Sequence, residues 1–218
     1  MVQRMRFGGT FTVTVGVLIG LNVALFLVQN FLPQTTVALG LIPGHVYPYR
    51  LYTLITYSFL HGGFAHLFFN MLTLYFFGGD LDVFLGRVRF LILYFGSALA
   101  GGVAAELFVR GPGGAPVLVV GASGAIYGLL AAYALYFPHT EVLLWFLLPM
   151  KIWVLVLIWV GISLVFSISN PAAGGIAHLA HLGGAAFALL YVKRVWRVGD
   201  LVRDLKYRWR RRRFRRIQ

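Results

Sequence analysis

Two groups of residues in this chain have the types and spacing that nucleophilic catalysis requires. Ser123 lies between glycines in GASGAIYG (121–128), with Tyr127 four positions later, and His178 and His181 follow further along the chain. A serine hydroxyl is a weak nucleophile at neutral pH and needs a neighbouring base that takes its proton. Either histidine can be that base, and the residues by themselves do not decide between them.

Hydrogen-bond donors for the same reaction occur in HGGFAHLFFN (61–70). The oxyanion that forms on an attacked carbonyl needs donors aimed at it, and one such donor is worth about 3–4 kcal/mol in the transition state. We expect His66, Asn70 and the backbone N–H of Ser123 to be these donors. His61 is expected to support the site as a structural hydrogen-bonding residue of the adjoining loop.

Six apolar segments must position these side chains. They cover residues 11–32, 54–78, 88–109, 121–137, 150–168 and 173–192. Each is near the roughly 20 residues with which a helix crosses a hydrocarbon core of about 30 Å. A composition of 60% hydrophobic and 11% charged residues excludes an ordinary soluble domain. The sequence therefore predicts an all-α membrane protein with one six-span domain, residues 1–195, and a basic tail, residues 196–218.

Basic residues predict the orientation of the spans. All of the 19 Lys and Arg residues except Arg50 and Arg110 lie at the ends of the chain or in the loops after spans two and four. Because cytoplasmic loops collect positive charge, both termini should be cytoplasmic. Spans two, four and six then carry their reactive groups at one depth near the outer surface. The stretch 138–151 is expected to be a cytoplasmic loop partly sunk in the membrane interface.

Small residues indicate which spans pack together. Gly124 and Gly128 lie beside Ser123, and span six carries a stripe of small residues at Ala177, Ala180, Gly184 and Ala188. Membrane helices associate by close packing of such residues. We therefore expect spans four and six to be direct neighbours, which would bring Ser123 within reach of a span-six histidine.

Other catalytic chemistries fit the sequence poorly. Of the six acids only Glu106 should lie near the outer face, so the carboxylate of a serine triad is not expected; the others are Asp80, Asp82, Glu141, Asp200 and Asp204. The chain contains no cysteine and no HExxH motif of zinc proteases. The sequence thus predicts a Ser–His dyad that packing orients, with no metal or organic cofactor.

The basic segment KYRWRRRRFRRIQ (206–218) has the composition of a phosphate-binding segment, including one for nucleic acid. Because it lies just inside the last span, it meets anionic lipid headgroups more simply, at roughly 1 kcal/mol per basic residue. We therefore expect membrane lipids, and not nucleic acid, as its partner.

Four pieces of the chain, taken in order and spacing, resemble the rhomboid intramembrane serine proteases. They are YRLYTLITYSFLHGGFAHLFFNM (49–71), FGGDLDVFLGRVRFLILYFGSALAGG (77–102), GASGAIYG (121–128) and AHLGGAAFA (180–188). The resemblance implies that Ser123 is the nucleophile and that the general base is a histidine followed three residues later by glycine. His181 with Gly184 satisfies that pattern, and His178 does not.

The same resemblance implies a fold and a substrate class. It implies a six-helix bundle whose water-filled cavity opens to the outside, and cleavage of single-span membrane proteins near the outer surface. His66 and Asn70 would line the oxyanion hole with Ser123, Tyr127 would pack against the catalytic imidazole, and Gly121 would support the serine.

Two alternatives remain open at this point. Imidazoles of facing helices can hold haem or a transition metal, and the candidates are His61, His66, His178 and His181. The chain could also bind membrane clients without cutting them. Its short N-terminus without a transit-type segment suits a multi-pass protein of a prokaryotic cytoplasmic membrane. The sequence indicates no oligomeric state.

Overall fold

The computed structural model describes residues 10–109, 111, 113, 115–144, 148–169 and 178–193. The helices in these ranges are α1 (Val13–Phe31), α2 (Gln34–Leu39), α3 (Thr53–Thr56), α4 (Phe64–Thr73), α5 (Gly79–Leu85), α6 (Arg87–Phe108), α7 (Ser123–Tyr136), α8 (Ile152–Ser169) and α9 (178–193). A turn of 3₁₀-helix, Tyr57–Phe59, follows α3, and a π-helical segment, Leu74–Gly78, joins α4 to α5 in one continuous helix, Phe64–Leu85. Two strands, β1 (Glu141–Leu144) and β2 (Leu148–Lys151), pair antiparallel.

Apolar helices dominate the described part of the chain. Three of them are long and apolar enough to cross a membrane: α1, the continuous helix Phe64–Leu85, and α6. The helices α7 and Ile152–Ser167 of α8 are apolar but shorter. Because a helix satisfies its own backbone hydrogen bonds, it can cross a bilayer with apolar side chains facing lipid. The predicted helical, apolar architecture is therefore confirmed, while six spans and cytoplasmic termini stay predictions.

The second span begins later than expected. Hydropathy predicts it over 54–78, but the helix covers Phe64–Leu85. The short helical turns end at Phe59, where Leu60 adopts an extended backbone, and Gly63, also extended, directly precedes the new helix. His66 and Asn70 consequently lie in the first two turns of the span, close to its N-terminal end.

The loop expected over 138–151 contains a β-hairpin, so the all-α expectation is wrong for this segment. Strand β1 pairs with β2 in a register that places Glu141 opposite Lys151. Val142 is buried, and the side chains before and after it are exposed. This alternation of exposed and buried side chains has the period of two that a strand produces. The apolar composition of residues 138–151 predicts only a loop in the membrane interface and does not reveal that period.

The helices that correspond to the predicted spans four and six, α7 and α9, are direct neighbours, as the small residues predict. A methyl group built on Gly184 of α9 would collide with the backbone carbonyl of Gly124 on α7. One built on Gly128 of α7 would collide with the side chain of Ser97 on α6. Gly101 of α6 also lies close to α9, because a methyl group there would be 2.8 Å from the carbonyl oxygen of Ala180. The backbones of α6, α7 and α9 thus approach closely where their glycines meet.

The loop between α2 and α3 is tied to the chain that leads into α7. Leu41 and Val119 exchange both backbone hydrogen bonds, at 3.1 and 2.8 Å. Glu106, near the end of α6, accepts a hydrogen bond from the backbone N–H of Gly44 at 2.8 Å. The guanidinium of Arg50 donates to carbonyl groups at the end of α2. These bonds fix the entrance to α7, where the candidate nucleophile lies.

Candidate active site

The candidate nucleophile and a candidate base meet where α7 and α9 pack together. Ser123 is the first residue of α7, and its Oγ lies 2.7 Å from Nε2 of His181 on α9. That separation is a normal hydrogen-bond length for a hydroxyl and permits direct proton transfer to the imidazole. His178, the other candidate, directs its Nδ1 at Ser163. The histidine that the resemblance implies is therefore the one in contact with Ser123.

Gly121 allows the chain to enter α7 close to His66. Its φ of +133° is one that residues with a side chain rarely adopt, and its N–H donates to the carbonyl of Tyr57 at 2.9 Å. A methyl group on Gly121 would lie 2.7 Å from Cε1 and 2.9 Å from Nε2 of His66, and 3.5 Å from Oγ of Ser123. The imidazole of His66 and the Ser123 hydroxyl therefore border the same small space.

Hydrogen-bond donors surround this space. The N–H of Ser123 belongs to the first turn of α7, whose N–H groups have no acceptor within the helix. The backbone N–H of Gly62 donates to Nδ1 of His66 at 3.4 Å, which leaves the proton of the neutral ring on Nε2. That nitrogen is the one that approaches Gly121.

Asn70 lies one turn after His66 on α4, which packs against α7. Its side chain is 7% exposed, and its Nδ2 has no hydrogen-bond partner among the residues that the structure describes. A buried donor without an acceptor costs about 1–3 kcal/mol. An oxyanion bound beside His66 would offer Asn70 the acceptor that it lacks.

Tyr127 orients the imidazole of His181 by stacking on it. The ring centroids are 4.1 Å apart and the planes differ by 12°. His178 meets the same imidazole edge-on, with centroids 5.8 Å apart. Nδ1 of His181 is buried and has no hydrogen-bond partner in the described ranges, so no carboxylate orients the ring there. Ring contacts supply the orientation in its place.

His61 lies in the loop before the helix Phe64–Leu85 and is buried. Its backbone N–H donates to Oε1 of Gln29 at 2.9 Å, and its carbonyl accepts from Nε2 of Gln29 at 3.4 Å. Its ring meets His66 edge-on at 5.1 Å. Burial, followed by the neighbouring His66, lowers the pKa of His61 from 6.5 to about 4. His61 is therefore neutral at physiological pH and holds the loop on α1 beside His66.

The four histidines considered for a metal site form two pairs. His61 contacts His66, and His178 contacts His181, with centroid separations of 5.1 and 5.8 Å. Within the described residues, no group of three or more His, Cys, Asp or Glu side chains could hold a metal ion. Nε2 of His181, an atom that could bind a metal, is engaged by the hydroxyl of Ser123.

Sequence reasoning missed one residue beside the site, Ser163 in α8. Its side chain is 0% exposed, and its Oγ lies 3.2 Å from Oη of Tyr127 and 3.3 Å from Nδ1 of His178. The available signal was its polarity, because a hydroxyl inside an apolar span is costly unless it finds a partner. Nothing in its spacing pointed to those partners, since they lie on other helices.

Comparison with known proteins identifies one family. The sequence model of the family described as Rhomboid domain matches residues 48–198, which include every candidate residue named above.

Curated relatives agree with that match. The chain is 36% identical over 149 residues to Rhomboid protein 1, mitochondrial, of Saccharomyces cerevisiae, covering 64% of this chain and 40% of the relative. It is 42% identical over 80 residues to Putative rhomboid protease YdcA of Bacillus subtilis, covering 37% of this chain and 38% of the relative. It is 34% identical over 135 residues to Rhomboid protease GluP of the same organism, covering 62% and 25%. The chain spans about two fifths or less of the length of these relatives.

Proposed function

This chain belongs to the rhomboid family, and from that premise we propose that it is an intramembrane serine endopeptidase with a Ser123–His181 dyad. The observation that carries the proposal is the 2.7 Å contact between Oγ of Ser123 and Nε2 of His181. The protease names of several relatives support the same enzyme class, a hydrolase of peptide bonds.

The dyad can perform both halves of the reaction. Oγ of Ser123 attacks the peptide carbonyl carbon while Nε2 of His181 takes the hydroxyl proton. The imidazolium returns that proton to the leaving amine as the C–N bond breaks, which leaves an acyl-enzyme. Water then attacks the ester with His181 again as the base, and Ser123 is released with its proton.

The negative charge that develops on the carbonyl oxygen needs donors already in place. We assign this role to Nε2 of His66, Nδ2 of Asn70 and the backbone N–H of Ser123. The glycine at 121 supports the assignment, because it keeps the space between His66 and the hydroxyl open. Each oriented donor is worth about 3–4 kcal/mol in the transition state.

The proposed substrates are single-span membrane proteins whose transmembrane helix enters the site from the lipid. We further propose six spans over residues 1–195, a basic cytoplasmic tail over 196–218 that meets anionic headgroups, and a location in a prokaryotic cytoplasmic membrane. The distribution of Lys and Arg supports the orientation, because cytoplasmic segments collect positive charge. In this proposal both termini are cytoplasmic and the dyad lies near the outer surface.

A cleavage assay in liposomes tests the proposal. Wild-type protein, Ser123→Ala, His181→Ala and His178→Ala are incubated with a generic single-span substrate, and products are resolved on a gel. We expect the first two variants to lose at least about 10³-fold in rate, because each removes a reacting group. His178→Ala is the comparison variant: it removes a neighbouring imidazole that contacts the His181 ring but takes no part in proton transfer, so it should retain cleavage and lose far less rate than the other two. Turnover by folded Ser123→Ala at the wild-type rate would contradict the mechanism.

A further inference from the structure

Ser163 connects α8 to the two residues that flank the imidazole of His181. Its hydroxyl contacts Oη of Tyr127 on α7 at 3.2 Å and Nδ1 of His178 on α9 at 3.3 Å. The side chain is fully buried in a helix that is otherwise almost entirely apolar. A single hydroxyl therefore bridges three helices at the depth of the dyad.

The directions of these two hydrogen bonds are coupled, because a serine hydroxyl has one proton and can donate only once. When Ser163 donates to Oη of Tyr127, Nδ1–H of His178 donates to Ser163. With the other tautomer of His178, Ser163 donates to Nδ1 and the tyrosine hydroxyl donates to Ser163. In either arrangement the Ser163 hydroxyl links His178 to Tyr127.

The hydrogen bonds of Ser163 hold Tyr127 and His178, the two rings that contact the imidazole of His181. Tyr127 lies parallel to the His181 imidazole at 4.1 Å, and its other described ring contact is Trp159 of α8, tilted at 6.0 Å. A bond to Oη restricts how far the tyrosine ring can tilt or slide along the imidazole. His178 stacks on Phe166, with ring centroids 5.3 Å apart. Since Nδ1 of His181 has no partner in the described ranges, these rings are what hold its orientation.

We propose that Ser163 is a positioning residue for the dyad: by holding Tyr127 and His178, it keeps Nε2 of His181 aimed at Oγ of Ser123. The position of α8 is thereby coupled to the geometry of proton transfer on α7 and α9. Ser163 contacts neither the nucleophile nor the base, so it acts through its neighbours. This inference rests on the proposed function, because positioning matters only if the dyad reacts.

Two readouts test the inference. One is kcat and KM for cleavage of a single-span substrate in liposomes. The other is the rate at which a fluorophosphonate labels Ser123, a reaction in which Oγ bonds to phosphorus, fluoride leaves and His181 accepts the hydroxyl proton. The variants are Ser163→Ala, Tyr127→Phe and the double variant. Ser167→Ala is the matched control, because Ser167 lies one turn away on α8 and its hydroxyl donates to the backbone carbonyl of Ser163 at 2.7 Å.

We expect Tyr127→Phe to lower kcat and the labelling rate about fivefold, the effect of one lost hydrogen bond, with KM unchanged. Ser163→Ala should lower both about fivefold to tenfold, because it removes that bond and also the bond to His178. The double variant should be no slower than Ser163→Ala, because Tyr127→Phe removes a bond that Ser163→Ala already removes. Ser167→Ala should match wild type. A purely structural role would lower the melting temperature without this pattern in kcat and labelling.

Wild-type kcat and labelling in Ser163→Ala, or additive losses in the double variant, would overturn the positioning role while leaving the dyad intact. An equal loss in Ser167→Ala would also overturn it, since that change leaves both bonds of the Ser163 hydroxyl in place. Failure of the proposed function looks different: wild type would then be labelled no faster than Ser123→Ala.

Discussion

Replacing Gly121 with alanine tests how the site holds its oxyanion donor. The new methyl group would lie 2.7 and 2.9 Å from two ring atoms of His66, whereas ordinary contact begins at 3.4 Å. The imidazole must therefore move by about 0.5–0.7 Å. The backbone also carries a φ of +133°, which costs a residue with a side chain about 1–3 kcal/mol.

Both effects predict measurable losses. We expect kcat for cleavage of a single-span substrate to fall about 10- to 100-fold, because a displaced donor loses much of its 10²–10³-fold contribution. KM should change little, since the donor acts on charge that develops only in the transition state. The unfolding free energy in detergent should fall by about 1–3 kcal/mol.

Gly86→Ala is the matched control for backbone strain. Gly86 also has a positive φ, +80°, but a methyl group there meets nothing within 4 Å, and it precedes α6 at the end opposite to the site. That variant should lose stability and keep kcat. If Gly121→Ala folds and retains the wild-type kcat, the assignment of His66 to the oxyanion hole is refuted.

Two further predictions follow from single buried groups. Asn70→Ala should lower kcat about 10²-fold with KM nearly unchanged, because it removes a proposed hydrogen-bond donor to the oxyanion. Asn30→Ala is the control and should keep kcat, because the amide of Asn30 is exposed and bonds a carbonyl of its own helix. A full loss of substrate binding in Asn70→Ala would contradict this role. His61 takes up a proton below pH 6.5 in the unfolded chain and only near pH 4 in the folded chain. As the pH falls from 6.5 to about 4, the contribution of His61 to the unfolding free energy should therefore decrease, and at still lower pH that contribution should stay constant. Thermal unfolding of His61→Gln against wild type measures it, and an identical pH slope in both proteins would refute the cause.

The packing of the site was accessible from the sequence because it depends on residue types at fixed spacing. Small residues at Gly124, Gly128 and Gly184 predict that spans four and six touch, and the glycine contacts confirm it. The choice of general base between His178 and His181, in contrast, did not follow from residue types and spacing. The residues left it open, and only a resemblance to a family motif implied His181.

Helix boundaries were less accessible because hydropathy does not distinguish an apolar loop from an apolar helix. The predicted span 54–78 includes Tyr57 and Leu60, which are buried in the segment before the helix Phe64–Leu85 and not in that helix. The hairpin at 141–151 was missed for the same reason, since each of its strands is only four residues long and mostly apolar. In both places the tertiary environment decides the conformation.

Ser163 was inaccessible for another reason. Its partners Tyr127 and His178 lie 36 and 15 positions away, on helices whose relative rotation no local pattern specifies. A serine in an apolar span predicts only that some acceptor or donor faces it.

Covalent labelling, read out by mass spectrometry, tests whether Ser123 and His181 react as a pair. Folded wild-type protein in detergent is treated with a fluorophosphonate, and the adduct is located by peptide mass spectrometry. We expect a single adduct on Ser123, absent from Ser123→Ala and formed at least about 10²-fold more slowly in His181→Ala. Labelling of His181→Ala at the wild-type rate, or an adduct elsewhere with Ser123 unmodified, would contradict this expectation.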